Sequence, residues 1–427
     1  MREKSTEKAG VSRREFIKTS AAGMAAALAG KNVIFAGQAK RKFKVALIGC
    51  GGRGTGALEN CFEAAKAIDV ELTTVATADW FKGKAENLGK KYNVPAARCF
   101  GGADAYKKLL ETDVEVVLIA TSPNFRPVHF EAAIKAGKNV FMEKPVAVDP
   151  PGGRRVIAAG EVAKQKGLAV VAGTQRRHEA SYLRTQYAVE RGAIGRIAGG
   201  AIWWCGGALW FQNRKPGESD ADYMIRNWVS FTEMSGDHIV EQHVHNIDIA
   251  NWYVGHPPVS ALGFGGRARR KTGDQFDFFS VDLDYRDGCR IHSMCRQING
   301  TDGDVREFFR GTEGETGGGG GLKGAKEITV PQFPDRDPYV QEHIDLLTSI
   351  MQEKPLNEAR NVAESTLTAI MSRISAYTGK MVLWRDVVEN EKSPWYNLTL
   401  KPTAEDFEKG PVVAPKDDVV AIPGTEA

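Results

Sequence analysis

Apolar and polar positions alternate in blocks through the first half of the chain. Residues 44–48, 71–77, 114–120, 139–142 and 168–172 are short apolar runs of the kind that form buried parallel strands. Helix-like segments at 55–67, 127–136 and 152–166 lie between them. Strand and helix in regular succession predict an α/β domain with a doubly wound parallel sheet, whose ligands bind beyond the carboxyl ends of the strands. Gly49, Asp79, Ser122, Lys144 and Thr174 stand at such ends. The second half lacks this rhythm. Residues 203–207 (WWCGG) read as a strand whose two tryptophans face opposite sides. Residues 210–228, aromatic and charged, predict an insertion near the cleft. Five glycines at 317–321 predict a flexible loop. Residues 357–377 carry helical periodicity, with Gly379 as C-cap. From 393 onward Pro, Asp and Glu predict an arm or loose tail. The implied segments are an address at 1–39, a nucleotide-binding domain at 40–175, a substrate domain at 176–392 and the tail at 393–427.

A length of 427 residues suits two domains of ordinary size. The net charge of +4 is spread out, with no basic run interleaved with aromatics beyond the N-terminus, so nucleic-acid recognition has little support. Beyond residue 39 no apolar stretch approaches the roughly 20 residues of a spanning helix. The six cysteines form no C-x-x-C pair and read as buried free thiols, although sequence alone leaves a Cys289–Cys295 bridge open.

Gly49, Gly51 and Gly54 fill a G-x-G-x-x-G pattern directly after the first strand, with Gly52 and Arg53 inside the turn. Such a turn lets a pyrophosphate approach backbone and helix N-terminus. Asp79 follows Gly54 by 25 residues, where a carboxylate can hold the ribose hydroxyls. It favours NAD over NADP, with Lys82 close by as a qualification and a helix N-cap as the alternative role. Thr121, Ser122, Asn124, His129, Glu143, Lys144 and Gln175 complete the candidate cofactor ligands.

Residues 137–145 (GKNVFMEKP) resemble the A-G-K-x-V-x-x-E-K-P signature of the glucose–fructose oxidoreductase / inositol dehydrogenase (Gfo/Idh/MocA) family. With the glycine turn and Asp79 the resemblance runs from about 42 to 384. It implies a Rossmann domain followed by an α+β domain with a large, mostly antiparallel open sheet, commonly used in homo-oligomers. It places Lys144 beside nicotinamide and substrate, before a proline that is often cis. Pairing of Lys144 with Glu143 or a phosphate is the alternative. Residues 235–248 (SGDHIVEQHVHNID) are similar to the family's G-G-x-x-x-D-x-x-x-H-x-x-D pattern. The match makes His245 the catalytic histidine and Asp248 its downstream acid, with Glu241 where the family usually has aspartate. Glu241 and His245 at i, i+4 would share a helix face, letting a carboxylate orient an imidazole. On a helix His243 and His245 diverge by about 200°, so no metal is expected. Arg176, Arg177 and Trp204 are the remaining candidate substrate contacts, against interdomain salt bridges and a core tryptophan.

Residues 12–18 (SRREFIK) and the weakly apolar run after them resemble a twin-arginine signal, with cleavage near Ala39. The resemblance implies the twin-arginine machinery as a partner and a periplasmic or extracellular location. No comparable pool of free nicotinamide nucleotide exists there. The expected function is therefore an NAD-dependent oxidoreductase acting on a sugar, polyol or glycoside hydroxyl with a tightly held, internally recycled cofactor. A redox-assisted glycosidase, working by oxidation, elimination and reduction, is one alternative. A non-catalytic nucleotide- or sugar-binding protein is the other.

Overall fold

The computed structural model describes residues 40–417 and 419–420; the twin-arginine segment lies outside them. The apolar runs become β1 (Lys42–Ile48), β2 (Glu71–Asp79), β4 (Val116–Ile119), β5 (Asn139–Met142) and β6 (Val170–Ala172). A further strand, β3 (Cys99–Gly101), escaped the sequence pattern because three residues are too few to show a period. The order is β3-β2-β1-β4-β5-β6, with every neighbouring pair parallel. Strand order reverses between β1 and β4, and that switch point opens a ligand crevice beyond their carboxyl ends. Helices α1 (Gly52–Ala67), α2 (Lys82–Lys91), α3 (Ala105–Leu110), α4 (Arg126–Lys135) and α5 (Pro150–Gln165) connect the strands.

The chain then crosses by a tight turn at Gln175–His178 and by α6 (Ala180–Glu190) into β7 (Ile197–Gly206). Short helices follow: α7 (Asp220–Arg226), α8 (Thr232–Ser235), α9 (His238–Glu241) and α10 (Val244–Val254). Strands β8 (Ser260–Gly266), β9 (Phe278–Asp284), β10 (Arg290–Gln297), β11 (Asp304–Gly311), β12 (Gly314–Gly317) and β13 (Lys323–Gly324) build the second sheet. Helices α11 (Pro338–Met351) and α12 (Ala359–Thr378) precede its last strand, β14 (Val382–Leu383), and α13 (Trp384–Val388) follows it. Its order is β13-β12-β11-β7-β10-β9-β8-β14, antiparallel except for the β7–β10 pair. Ile247 of α10 and Ile370 and Ile374 of α12 pack on Ile202, Phe279, Val281 and Ile291 of its inner face. Each such side chain contributes about 1.5–3 kcal/mol on burial. Gly379 ends α12 at φ +68°, as a C-cap glycine should.

Two expectations need correction. Helix α11 belongs by packing to the first domain, where Val340, Ile344 and Leu347 join Phe43, Leu47 and Phe141. The glycine run is no loose loop: Tyr253 Oη donates to the Gly318 carbonyl at 2.5 Å. A Cβ at Gly318 would sit 2.1 Å from Glu307 Oε2, so the glycines permit close packing there. Of the two readings of the C-terminal segment, arm and loose tail, the structure has the arm as far as 417. Its helix α14 (Ala404–Lys409) opens with a Thr403–Asp406 capping box and buries Phe407. All six cysteines are free.

Candidate functional site

The glycine turn is shaped for close approach. Gly49 has φ +97°, and a Cβ there would lie 2.6 Å from the Ala120 carbonyl carbon. A Cβ at Gly54 would lie 1.8 Å from the Gly49 oxygen. Gly51 and Gly52 face open space, which leaves the start of α1 accessible to a pyrophosphate. Asp79 ends β2, where its Oδ2 accepts from the Cys50 amide at 2.8 Å and its Oδ1 from the Phe81 amide at 2.9 Å. Burial lifts its carboxyl above the ordinary range, and the two amides oppose that.

Beside it opens a cavity with an empty volume of about 690 Å³, lined by Gly49, Gly51, Asp79, Thr121 and Ser122. Tyr106, Phe125 and His129 form one wall, and Ile225 and Trp228 of the second domain form another. His129 is a neutral wall: burial pushes its imidazole down to about 3, and its ring packs on Tyr106 at 4.3 Å. Its Nδ1 lies 3.3 Å from Thr121 Oγ1. Asn124 is buried, and its amide reaches Met234 Sδ at 3.3 Å. Lys82 pairs with Glu86 on its own helix, while Lys84 lines the cavity. Tyr106 and Lys84 were not anticipated, since no motif marks them, whereas Ile225 and Trp228 belong to the 210–228 insertion expected near the cleft.

Charged hydrogen bonds contribute about 1.5–3 kcal/mol. Asp79→Ala should therefore lower the preference for NAD over NADP by about ten- to a hundredfold. Fluorescence titration with both nucleotides checks this, and an unchanged ratio removes Asp79 from the ribose.

The second half of the site starts where β5 ends. The Lys144–Pro145 peptide is cis, and Arg126 Nη1 donates to the Pro145 carbonyl at 2.6 Å. Lys144 Nζ donates to the Glu241 carbonyl at 2.7 Å and to Glu241 Oε1 at 3.1 Å. Lys144 is thus not Glu143's partner. Glu143 pairs with Arg53 at 2.5 Å, packs over Gly173, and leaves Arg53 to reach Glu342 at 3.4 Å. Arg53 and Glu143, expected at the cofactor, are committed to each other.

The expected helix through Glu241 and His245 is broken. The His238 carbonyl accepts from the amides of both Gln242 and His243, a widened turn that separates α9 from α10. Glu241 therefore faces Lys144 and does not orient His245. His243 is pulled to the sheet by a 2.8 Å hydrogen bond between its Nε2 and Ser293 Oγ. Among the described residues, no group of three or more His, Cys, Asp or Glu is arranged to hold a metal.

His245 begins α10 and stacks on Trp204 of β7 at 5.5 Å and 19°. Neither ring nitrogen has a hydrogen bond from another described residue. Burial, then the charges of Lys144 and Arg176, hold its imidazole well below the ordinary range. It is therefore neutral, with a basic nitrogen unspent. Trp203 lies on the other face of β7 under Arg306, as the strand alternation required.

One residue was missed although its signal was present. The family pattern's second glycine falls on Asp237, which adopts φ +73° and ψ 162°. That region is strained for any side chain and persists only where the surroundings enforce it. Here Asp237 accepts from the His238 amide at 2.5 Å, Phe276 amide at 3.1 Å and Tyr377 Oη at 2.5 Å. These bonds fix the start of α9 and hence the place of Glu241.

The crossover arginines are paired. Arg176 Nη1 donates to Glu307 Oε1 at 2.5 Å, with its guanidinium 5.8 Å from the Trp204 ring. Arg177 forms a two-pronged fork with Asp248 at 2.8 and 2.9 Å, and Ser365 Oγ donates to the same carboxylate at 2.7 Å. Asp248 is only 2% exposed, so Arg177 and Asp248 are an interdomain clasp, contrary to the expectation of substrate contacts. The buried Oε1 of Gln175 and Oγ1 of Thr174 have no hydrogen-bond partner among the described residues. The open glycine turn, where a Cβ at Gly49 or Gly54 would strike backbone, and Asp79 on the cavity wall fit NAD.

The model described as "Oxidoreductase family, NAD-binding Rossmann fold" matches residues 43–174. The GFO/IDH/MocA C-terminal domain matches residues 182–316. An inositol 2-dehydrogenase of Rhizobium meliloti is 25% identical over 231 residues, 54% of this chain and 62% of that protein. A myo-inositol 2-dehydrogenase of Thermotoga maritima is 23% identical over 346 residues, 80% of this chain and 93% of that protein. The crystal structure of an aldose–aldose oxidoreductase from Caulobacter crescentus superposes with a TM-score of 0.62 at 17% identity, covering 80% of this chain and 100% of that one. The glycine turn, the Glu-Lys-Pro strand end, the open second sheet and both domain matches place the chain in the Gfo/Idh/MocA oxidoreductase family.

Proposed function

We propose that this chain is an exported, NAD-dependent oxidoreductase that acts on a hydroxyl of a neutral sugar or polyol and recycles its cofactor in place. The observation that carries the reading is that Lys144 is held by Glu241, four residues before a buried, neutral His245, in a chain with an open dinucleotide crevice. NAD, when bound, supplies the hydride acceptor. His245 takes the hydroxyl proton on its free ring nitrogen. Lys144 spends two of its three hydrogens on Glu241 and directs the third at the substrate oxygen. Trp204, stacked on His245, offers an aromatic edge to a sugar ring.

Substrate charge follows from the ion pairs. Lys144, Arg176 and Arg177 each already hold a carboxylate, so no unmatched cation among them awaits a uronate or phosphosugar. The names of the inositol dehydrogenases and the aldose–aldose oxidoreductase support a neutral polyhydroxylated ring. The 12–18 segment supports twin-arginine export, and export favours a retained cofactor. Leu262 and Phe264, alternate residues exposed on one face of β8, support self-association through that face of the second sheet.

Purified protein, denatured and cleared, is expected to release NAD. Incubated with neutral mono- and disaccharides and no added cofactor, the intact protein should show the near-ultraviolet absorbance of NADH. Chromatography of the disaccharide reactions separates net oxidation from glycoside cleavage. A preparation with no nucleotide, and none bound on titration, would instead identify a non-catalytic relative.

A further inference from the structure

The crevice beside Asp79 runs between a wall of the nucleotide-binding domain and a wall from outside it. One wall, Tyr106, Phe125 and His129, comes from α3, α4 and the turn before it. The opposite wall, Ile225 and Trp228, comes from α7 and the residues just after it. Held together, the two walls narrow the crevice on that side. Two ties hold them together. Trp80 Nε1, at the end of β2, donates to Asp222 Oδ1 of α7 at 2.6 Å. The second tie is the C-terminal arm.

The arm grips the first domain through α14. Phe407 packs edge-on against Trp80 at 5.8 Å and against Phe125 at 5.2 Å, the two rings that flank the cavity. Glu408 accepts from Tyr106 Oη at 2.8 Å and pairs with Lys107. Glu405 pairs with Arg155 at 2.6 Å. Beyond α14 the arm turns to the opposite wall. The Ala414 amide donates to Asp220 Oδ2 at 2.8 Å, and Tyr223 Oη donates to Asp417 Oδ2 at 2.9 Å. Asp417 Oδ1 also accepts from the Gly273 amide at 2.8 Å, which fixes the arm's far end to the second domain. Phe407, Val412 and Ala414 share one apolar cluster with Tyr223, Met224, Ile225 and Trp228.

We infer that residues 404–417 are a strap that retains the dinucleotide by holding the α7 wall against the first domain. This rests on the NAD-dependent reading above and adds the element that makes the cofactor non-exchanging. The strap lies behind the walls and touches neither Lys144 nor His245, so it acts on the dissociation rate and not on the proton chemistry.

The test follows release of NAD from the full chain after dilution into a fluorescent NAD analogue. Two variants are compared with the unmodified chain. Phe407→Ala removes the seat of the arm on Trp80 and Phe125. Asp417→Asn keeps that seat and weakens only the tie to Tyr223 and Gly273, so it decides the matter if the first variant does not fold. Both should release NAD at least about tenfold faster, since changes at an interface appear mainly in dissociation. An unchanged release rate in folded Asp417→Asn overturns the strap. A full chain that takes up NAD but exchanges it as fast as the variants overturns the strap alone. A full chain that takes up none overturns the oxidoreductase reading as well.

Discussion

Lys144→Met is expected to leave NAD bound and to slow its sugar-dependent reduction by about 10²–10⁴-fold, the range of a positioned acid–base group. The side chain stays long and apolar, so the end of β5 keeps its packing. What disappears is an ammonium held by the Glu241 carbonyl and carboxylate at 2.7 and 3.1 Å, with one hydrogen left for substrate. Glu241→Gln separates two roles. The backbone carbonyl still accepts from Lys144, but the side chain no longer balances its charge. A smaller loss than in Lys144→Met is expected, seen in kcat more than in nucleotide affinity. Full turnover in Lys144→Met would discard the assignment.

The pH profile tests the partner base. His245 is pushed below its ordinary 6.5 chiefly by burial and then by Lys144 and Arg176. A depressed imidazole stays neutral, and so competent as a base, at pH 6.5 and for some distance beneath it. The acid limb of kcat/KM therefore lies below 6.5. In Lys144→Met one of the repelling charges is gone, so the limb should move upward. A limb that stays in place while Lys144 is neutralised would mean that another group titrates there.

The first domain was legible because a parallel sheet buried on both faces writes itself as short apolar runs, and because the glycine turn admits few side chains. Gly49, Asp79 and Lys144 stand at strand ends in the sequence and in the fold alike. The second sheet followed from the resemblance, since its strands alternate weakly and β7 carries Gly199, Gly200 and Gly206 among its ten residues. What could not be read was pairing across long separations. Arg177 and Asp248, or Glu307 and Arg176, look like free polar groups until the fold brings them together. The break between α9 and α10 was hidden for a related reason. Spacing alone assumes a regular helix, while the widened turn at His238 and the pull of Ser293 on His243 depend on α9 and β10 being neighbours. An arm could not be told from a loose tail because a Pro- and acid-rich composition describes solvent-facing residues and says nothing of where the buried rings Trp395 and Phe407 pack.

Asp248→Asn is expected to cost stability, on the order of 3–5 kcal/mol, because removing one charge of a buried pair strands the other. The carboxylate is 2% exposed and takes three hydrogen bonds, two from Arg177 and one from Ser365. An asparagine of the same size offers one acceptor oxygen where two were used, and turns an amide donor toward a guanidinium. Arg177 belongs to the crossover from the first domain and Asp248 to α10, the helix that begins with the catalytic candidate His245. Loss of the fork should therefore loosen the joint between domains as well as lower the melting temperature. The discriminating measurement pairs a thermal melt with KM for the best sugar at a temperature where the variant remains folded. A lower melting temperature with an unchanged KM supports the clasp. A raised KM with an unaltered melt would restore Asp248 to the substrate, the role that its place in the family pattern first suggested.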